Sequence, residues 1–337
     1  MSWLEALGRL SGTRTGTKIA WLLLSVAAGV MFWRIAGDVS MRLGPDAALM
    51  ENAADRMRRA SEVIREARAA RGVTPSKAQE TDGPEFNVIH ADDDAGGAAA
   101  PRGTTSVASP RGKRTVASPD TAALFSRLLR KAGLHAGDTV AVVLSDAYIG
   151  GNVAALSAIE AYGLRSRVVS VLRVAPVALV GDGVNRTPFT WLDAEAAVRT
   201  AGVWNVRSLR VVLPDDARTT GASGAGARTA TLDAITRAGV PLVEAQDFAA
   251  TVRESAAILD LGPTAATKPA LLVNMGGSRL ALGDCLQTED LPHGVISHPL
   301  PCRSGVPGLI QIALDKGIPV LNAFMIRENW QEGPRAR

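Results

Sequence analysis

The chain has 337 residues, of which 47% are hydrophobic and 21% charged, and its formal net charge at pH 7 is +4. These proportions are close to those of globular proteins, so they exclude a wholly disordered or collagen-like chain, and the length fits one α/β domain of about 200 residues with extensions. Two cysteines are too few for a disulfide-rich scaffold, and a charge of +4 over this length gives no support to a nucleic-acid partner.

A long apolar stretch lies near the amino terminus. Residues 19–33 carry no charge, and residues 35–37 extend the stretch beyond Arg34. About 20 apolar residues span a bilayer, and Arg34 can extend its charged end to the interface, so we predict a transmembrane anchor over residues 19–37. A cleaved signal peptide is the first alternative, and a buried core helix is the second.

The charges around this stretch predict its orientation. Residues 1–18 contain the cations Arg9, Arg14 and Lys18 against a single acidic residue. By the positive-inside rule, residues 1–18 are cytoplasmic and the bulk of the chain lies on the other side of the membrane. We therefore expect a single-pass protein of the cell membrane with an extracytoplasmic domain.

Residues 45–71 are predicted to form an amphipathic helix. Strong helix formers occupy this segment, and its apolar side chains recur at steps of three and four residues. The apolar stripe needs a partner. Packing on the globular domain of the same chain is the first interpretation, and a coiled-coil stalk is the second.

Residues 72–118 are rich in Gly, Ala, Ser, Thr, Asp and Pro, a composition typical of a linker. Hydroxyl groups and cations within this linker have the chemistry that holds an anion. The candidates are Thr104, Thr105, Lys113 and Arg114. A solvated linker with ordinary charges is the alternative.

Residues 119–330 alternate between β-branched apolar runs and helical segments, and residues 331–337 form a tail. Continuous apolar runs are typical of strands buried in a parallel sheet. We predict an α/β domain with a mostly parallel sheet and helices on both faces. The predicted strands cover residues 139–144, 167–172, 209–213, 241–244, 270–274 and 318–321.

The loop after the first predicted strand is a candidate binding site, because ligands of such folds bind at the carboxyl ends of the strands. Ser145 and Asp146 end the strand, and Gly150, Gly151 and Asn152 begin the next helix. Backbone N–H groups at a helix start can bind a phosphate or a carboxylate. A tight bend that needs glycine is the alternative.

A second glycine-containing loop partly matches the nucleophile elbow of hydrolases. Gly276 and Ser278 fit the G-x-S-x-G pattern, but Leu280 takes the place of the last glycine. Asp290 and His298 follow in the acid-then-histidine order of a hydrolase triad. The candidate catalytic residues are therefore Ser278, Ser145 and His298, and a plain glycine turn is the alternative.

Both cysteines and half of the histidines lie within residues 285–302, as Cys285, His293, His298 and Cys302. Three states remain open for them. The side chains are unlinked, the cysteines form a disulfide outside the cytoplasm, or the four residues bind a metal ion. The ligands lack the close pairs that structural zinc sites usually show.

Thr190 and Asp193 lie where a loop meets a helix that begins near Trp191. Either side chain can cap that helix. Capping explains both residues without a role in catalysis.

Several of these segments together resemble the poly-gamma-glutamate system proteins, accessory members of bacterial poly-γ-glutamate synthesis loci. The resemblance covers nearly the whole chain, and the Phe-Thr-Trp-Leu-Asp run at residues 189–193 is its most specific part. In the loop after the first strand, only Ser145 and Asn152 match the family pattern. The other matching segments are residues 104–106, 113–115, 118–120, 137–142, 274–277 and 317–320.

The resemblance implies a membrane-anchored accessory protein of poly-γ-glutamate synthesis or export, without a cofactor. It implies an anionic polymer and synthetase or export components as partners, and homo-oligomer formation stays open. The ligand-binding residues expected from motifs and resemblance are Thr104, Thr105, Lys113, Arg114, Ser145, Asn152, Asp193, Asn274, Gly276 and Gly277. A hydrolase or amide-transfer enzyme acting on a γ-glutamyl polymer and a membrane-anchored scaffold are the alternatives.

Overall fold

The computed structural model describes residues 25, 26, 29, 46–72, 118–172, 189–213, 222–263, 265, 267–285, 291, 292, 294–302 and 304–323. Within these residues, no helix is long and apolar enough to cross a membrane. The predicted anchor over residues 19–37 lies almost wholly outside the described residues. The predicted site residues Thr104, Thr105, Lys113 and Arg114 also lie outside them, as do residues 1–18 and 331–337.

The described strands form one sheet of six. They are β1 (Thr139–Ser145), β2 (Arg165–Val171), β3 (Ser208–Val212), β4 (Leu271–Asn274), β5 (Gly294–Ile296) and β6 (Val320–Asn322). Their order is β3-β2-β1-β4-β6-β5, and every neighbouring pair is parallel except β5 and β6. The predicted α/β class with a mostly parallel sheet is confirmed.

Eight α-helices accompany this sheet in the described part of the chain. They are α1 (Ala47–Ala70), α2 (Pro119–Lys131), α3 (Ile149–Tyr162), α4 (Trp191–Thr200), α5 (Ala222–Ala238), α6 (Phe248–Ile258), α7 (Arg279–Leu282) and α8 (Leu309–Asp315). The chain divides into two compact units, Met1–Ala48 and Leu49–Arg337. All six strands belong to the second unit.

The side chains of β1 enter two separate apolar cores. Val140 and Val142 belong to a core with side chains of α1 to α5, whereas Ala141 and Val143 belong to a core with side chains of α6 to α8. Successive side chains of a strand point to opposite faces of the sheet, so helices cover both faces. This arrangement explains the continuous apolar run of β1, in which all four side chains are fully buried.

Two parts of the sheet differ from the sequence predictions. The predicted strand at residues 241–244 is wrong, because only Leu242 makes an isolated parallel bridge, with Val211. Pro241 has no N–H to donate to a ladder, which limits pairing at this position. The antiparallel edge strand β5 was not predicted, because three residues are too few to show a period along the sequence.

Helix α1 packs on the domain of its own chain. Ala53, Met57 and Ala60 are fully buried, and they lie in the same core as one face of β1. The Nη1 atom of Arg56 also donates a hydrogen bond of 2.6 Å to the backbone carbonyl of Val203. The apolar stripe of α1 is therefore buried within the domain, as the first of the two interpretations expected.

Replacing Met57 by Ala tests this packing, because it removes a fully buried side chain. We expect a loss of about 2–5 kcal/mol in the free energy of unfolding, the usual cost of such a cavity. Urea unfolding of the purified full-length protein measures it. Glu66→Ala, at an exposed position of the same helix, is the control and is expected to change stability by no more than about 0.5 kcal/mol. Equal stability of both variants would contradict the packing.

Candidate functional site

The strand order reverses between β1 and β4, and we call the place where the chain leaves their carboxyl ends the crevice. From β1 the chain continues to β2 and β3 on one side of the sheet, whereas β4 and β6 lie on the other side. In open parallel sheets, ligands bind where the strand order reverses in this way. We call the residues Ser145, Asn152, Asn274 and Gly276 the switch-point cluster.

The β1 side of this crevice is built by a short turn and a helix start. After Ser145 the chain makes one 3-10 turn, Asp146–Tyr148, and enters α3. Asn152, in the first part of α3, is fully buried, and its Nδ2 atom donates a hydrogen bond of 2.8 Å to the backbone carbonyl of Ser145. The first turn of α3 contains no acidic residue, and its N-cap, Tyr148, makes no side-chain capping bond.

The β4 side is held by a second buried asparagine. The Nδ2 atom of Asn274 donates to the backbone carbonyl of Gly276 at 2.8 Å and to Oδ1 of Asn322 at 2.9 Å. Asn322 ends β6, and its own Nδ2 atom donates to the carbonyl of Pro292. These bonds join the ends of β4 and β6 and fix the path of the chain as it leaves β4.

The two sides of the crevice touch at Gly276. Its φ angle is +103°, and a Cβ atom at this position would lie 2.8 Å from the Cβ atom of Ser145. Only glycine fits this close approach without a shift of the neighbouring backbone. The structure thus brings together four of the residues predicted from separate loops, and Gly277 lies buried in the same loop.

Two oxygen atoms of the switch-point cluster have no hydrogen-bond partner among the residues that the structure describes. They are Oδ1 of Asn152 and Oδ1 of Asn274, and both are buried. The amide orientation is set by the bonds of the Nδ2 atoms, which donate to backbone carbonyls. An unsatisfied buried acceptor costs about 1–3 kcal/mol, so the cluster is under-satisfied at the place where a ligand is expected.

Ser278 caps a helix in this structure. Its Oγ atom accepts a hydrogen bond of 3.3 Å from the backbone N–H of Ala281, and its φ angle is −65°, an ordinary extended conformation. A nucleophile elbow needs a sharp, strained turn at the serine. His298 is exposed and follows β5, which runs antiparallel, so it leaves the sheet at the end opposite to the carboxyl end of β4.

Cys285 and Cys302 form a disulfide, and their Cα atoms are 4.9 Å apart. Of the three open states, the structure therefore has the bridged one, in which neither sulfur is a thiolate able to bind a metal. His293 and Asp290 lie outside the described residues. Within the described ranges, no group of three His, Cys, Asp or Glu side chains could hold a metal ion.

Asp193 serves as a helix cap and as an ion-pair partner. Its Oδ2 atom accepts bonds from the backbone N–H and the hydroxyl of Thr190, at 2.8 and 2.9 Å. Its Oδ1 atom lies 2.8 Å from Nη2 of Arg71 and 3.1 Å from Nη2 of Arg237. Capping was predicted, but the two arginines were not, because they come from distant parts of the chain.

A chain of buried hydrogen bonds begins at the neighbouring Trp191. Its Nε1 atom donates to Oγ of Ser170 at 3.1 Å, and the hydroxyl groups of Ser170 and Ser208 are 2.7 Å apart. Glu195 ends the chain and accepts bonds from the N–H and the hydroxyl of Ser208, at 2.8 and 2.5 Å. This chain joins α4 to β2 and β3.

Glu195 was missed by the sequence analysis, although a signal was present. It lies at the three- and four-residue spacing of Trp191, Leu192 and Val198, on the face of α4 that is otherwise apolar. The side chain is only 3% exposed. Burial raises the pKa of the Glu195 carboxyl above its ordinary value of 4.5, although the hydrogen bonds from Ser208 act in the opposite direction.

No protein-family model matches this chain, and neither does any curated protein or solved structure. The resemblance to the poly-gamma-glutamate system proteins therefore stays a prediction. Function has to be inferred from the chemistry of the residues that the fold brings together.

Replacing Glu195 by Gln tests the buried carboxyl. A raised pKa means that the folded state holds its proton more tightly, so the stability that this group contributes is present below the unfolded pKa and is lost as the pH rises through the folded pKa. Glu195→Gln removes the titration. We therefore expect a smaller loss of stability between acidic and neutral pH in the variant than in the wild type, measured by urea unfolding at several pH values.

The control for this experiment is Glu254→Gln, at an exposed position of α6. It removes the same charge without removing a buried group, so its stability should follow the wild-type dependence on pH. Parallel pH profiles for the wild type and Glu195→Gln would contradict the raised pKa.

Proposed function

We propose that the chain is a membrane-anchored accessory protein in the synthesis or export of an anionic polymer, poly-γ-glutamate. In this proposal the α/β domain binds a γ-glutamyl segment at the crevice between β1 and β4. The observation that carries it is the pair of buried acceptors, Oδ1 of Asn152 and Oδ1 of Asn274, which lack partners at the switch point. The resemblance described above supports the choice of polymer.

The chemistry of the polymer matches the switch-point cluster. Each γ-glutamyl unit contains an amide N–H and a free carboxylate. The N–H is a donor that the oxygens of Asn152 and Asn274 lack. The N–H groups and helix dipole at the start of α3 attract negative charge, and its first turn contains no acidic residue, although Asp146 lies in the turn just before it. A ligand with both groups therefore fits better than a simple anion.

Access to the two oxygens requires movement of the loop after β4. Both atoms are buried, and Met275, Gly276 and Gly277 are buried above the end of the strand. A donor from the ligand reaches them only when this loop shifts, and its two glycines allow more backbone conformations than other residues. Hydrogen bonds from the ligand to the two oxygens then offset part of the free-energy cost of the unsatisfied acceptors. This favours ligands with N–H donors.

The alternatives receive less support from the described residues. Ser278, the first candidate nucleophile, is engaged as the cap of α7 in an unstrained conformation, so its geometry does not favour a hydrolase. The apolar face of α1 is buried in the domain, which removes the surface that a coiled-coil scaffold needs. A binding role fits both findings.

The disulfide supports an extracytoplasmic domain. Cys302 is exposed and Cys285 is half-buried, so the bridge is open to reductants of its compartment. Disulfides of this kind persist outside the cytoplasm and are rare in it. The amino-terminal charges predict the same orientation.

Replacing Gly276 by Ala tests the crevice. The new methyl group would collide with Ser145, and the loop could no longer keep its path across the switch point. We expect affinity for tri-γ-glutamate, measured by calorimetry on the full-length protein in detergent, to fall at least about tenfold, which corresponds to about 1.4 kcal/mol.

Gly133→Ala is the matched control for that experiment. Gly133 also has a positive φ angle, +81°, but a Cβ atom there meets nothing within 4 Å. This variant carries the same kind of backbone strain without a collision, so it should bind tri-γ-glutamate like the wild type. Equal affinities of the two variants, or no binding by the wild type, would count against the proposal.

Thiol labelling in intact cells tests the location of the domain. Cys285 and Cys302 are the only cysteines of the chain, so a membrane-impermeant maleimide reports on them alone. We expect no labelling before treatment with an impermeant reductant and labelling after it, because reduction opens the disulfide outside the membrane. The Cys285→Ser/Cys302→Ser double variant is the blank. Labelling that requires permeabilised cells would contradict the orientation.

A further inference from the structure

A groove runs along the outer side of α4, between the carboxyl ends of α1 and α5. Its volume is about 420 Å³. The floor consists of small side chains at helical spacing, with Ala196, Ala197 and Thr200 contributed by α4 and Ala201 by its C-cap position. The charged side chains that line it are Arg71, Asp193 and Arg237. We call this cavity the α4 groove.

The charges lining the α4 groove do not balance. Arg71 and Arg237 both pair with the single carboxylate of Asp193, whose side chain is only 4% exposed. The Oδ2 atom of this carboxylate is already engaged by Thr190. Among the residues that the structure describes, two guanidinium groups against one carboxylate leave one positive charge in the groove, and no Lys or Glu side chain lines it.

The arginines retain donors for a further acceptor. Arg237 directs its Nε and Nη2 atoms at Asp193, and Arg71 directs its Nη2 atom at the same carboxylate. A guanidinium group has five N–H donors, so these bonds do not use all of them. About a third of each side chain is exposed, 33% for Arg71 and 36% for Arg237. The ring of Phe189, 5.6 Å from the guanidinium carbon of Arg71, also holds that group in place.

We propose that the α4 groove binds one carboxylate carried on a short aliphatic stem. A carboxylate adds one negative charge and brings the groove to neutrality, whereas a phosphate group adds about −1.5 to −2 and exceeds the balance. The planar donor fork of arginine fits a carboxylate in a bidentate manner. The alanine floor offers apolar contact to the methylene groups of the stem.

Only the choice of a γ-glutamyl ligand for the α4 groove rests on the proposed function. A γ-glutamyl unit carries a free carboxylate, and the groove is a second place where such a group binds. The groove itself is defined by its own residues, and none of them belongs to the switch-point cluster. The two sites can therefore be tested separately with one probe.

The experiment compares full-length variants in binding of tri-γ-glutamate by calorimetry. Ala197→Leu fills the floor and leaves every charge in place, and Arg237→Gln removes one guanidinium group. We expect each to lower the affinity at least about tenfold, Ala197→Leu because it fills the space of the aliphatic stem and Arg237→Gln because it removes a charge-assisted contact. Arg127→Gln, at an exposed position of α2 outside the groove, removes the same charge and should leave the affinity unchanged.

The outcomes separate this inference from the proposed function. If Ala197→Leu and Arg237→Gln both bind with wild-type affinity, the groove is not a carboxylate site. If Gly276→Ala is then the one variant that loses binding, the crevice is the site. Loss of binding in the groove variants, with Gly276→Ala unchanged, supports the groove and counts against the crevice. Displacement of tri-γ-glutamate from the groove by a lower concentration of inorganic phosphate also overturns the proposal. If Arg237→Gln does not fold, Ala197→Leu decides the question.

Discussion

Three helices are joined at the buried carboxylate of Asp193. Asp193 lies in the first turn of α4, whereas Arg237 lies in the last turn of α5 and Arg71 directly follows the end of α1. The negative carboxylate thus lies at the amino end of a helix and the two positive guanidinium groups lie at carboxyl ends, which is the arrangement that helix dipoles favour. This contact links the ends of α1 and α5 to the start of α4, and it supplies the charged side chains of the α4 groove. A buried carboxylate without these partners would carry a large desolvation cost.

The two polar regions of the domain differ in how well they are satisfied. Around α4, Asp193 and Glu195 accept several hydrogen bonds or ion pairs, and Trp191 and the serines form a continuous chain to Glu195. At the switch point, the amide nitrogens of Asn152 and Asn274 donate hydrogen bonds, whereas their oxygens accept none from the described part of the chain. A satisfied network stabilises one packing of helices on a sheet. Buried acceptors without donors lower the local stability. A ligand that donates a hydrogen bond to them therefore gains binding free energy there.

Much of the fold could be predicted from the sequence, and the reason is local. The apolar, β-branched run at residues 139–144 is typical of a strand buried on both faces, and the stripe of α1 repeats at helical spacing along a helix of 24 residues. The edge of the sheet was harder to predict from the sequence. β5 has three residues, and the run at 241–244 looked like a strand but makes one bridge, because pairing also depends on the neighbouring strand.

The sequence was enough to predict the α/β class, the strand ends near Ser145 and Asn274, the helix start near Asn152, and the capping of α4 by Asp193. These features follow from residue type and spacing within a few positions along the chain. Only the packing of the whole domain shows that the loops meet at one crevice and that Ser278 caps a helix. It also brings Arg71 and Arg237 to the carboxylate of Asp193, from 122 and 44 positions away along the chain. Such contacts depend on strand order and on the packing of helices across the sheet, and neither leaves a pattern in any short segment of sequence.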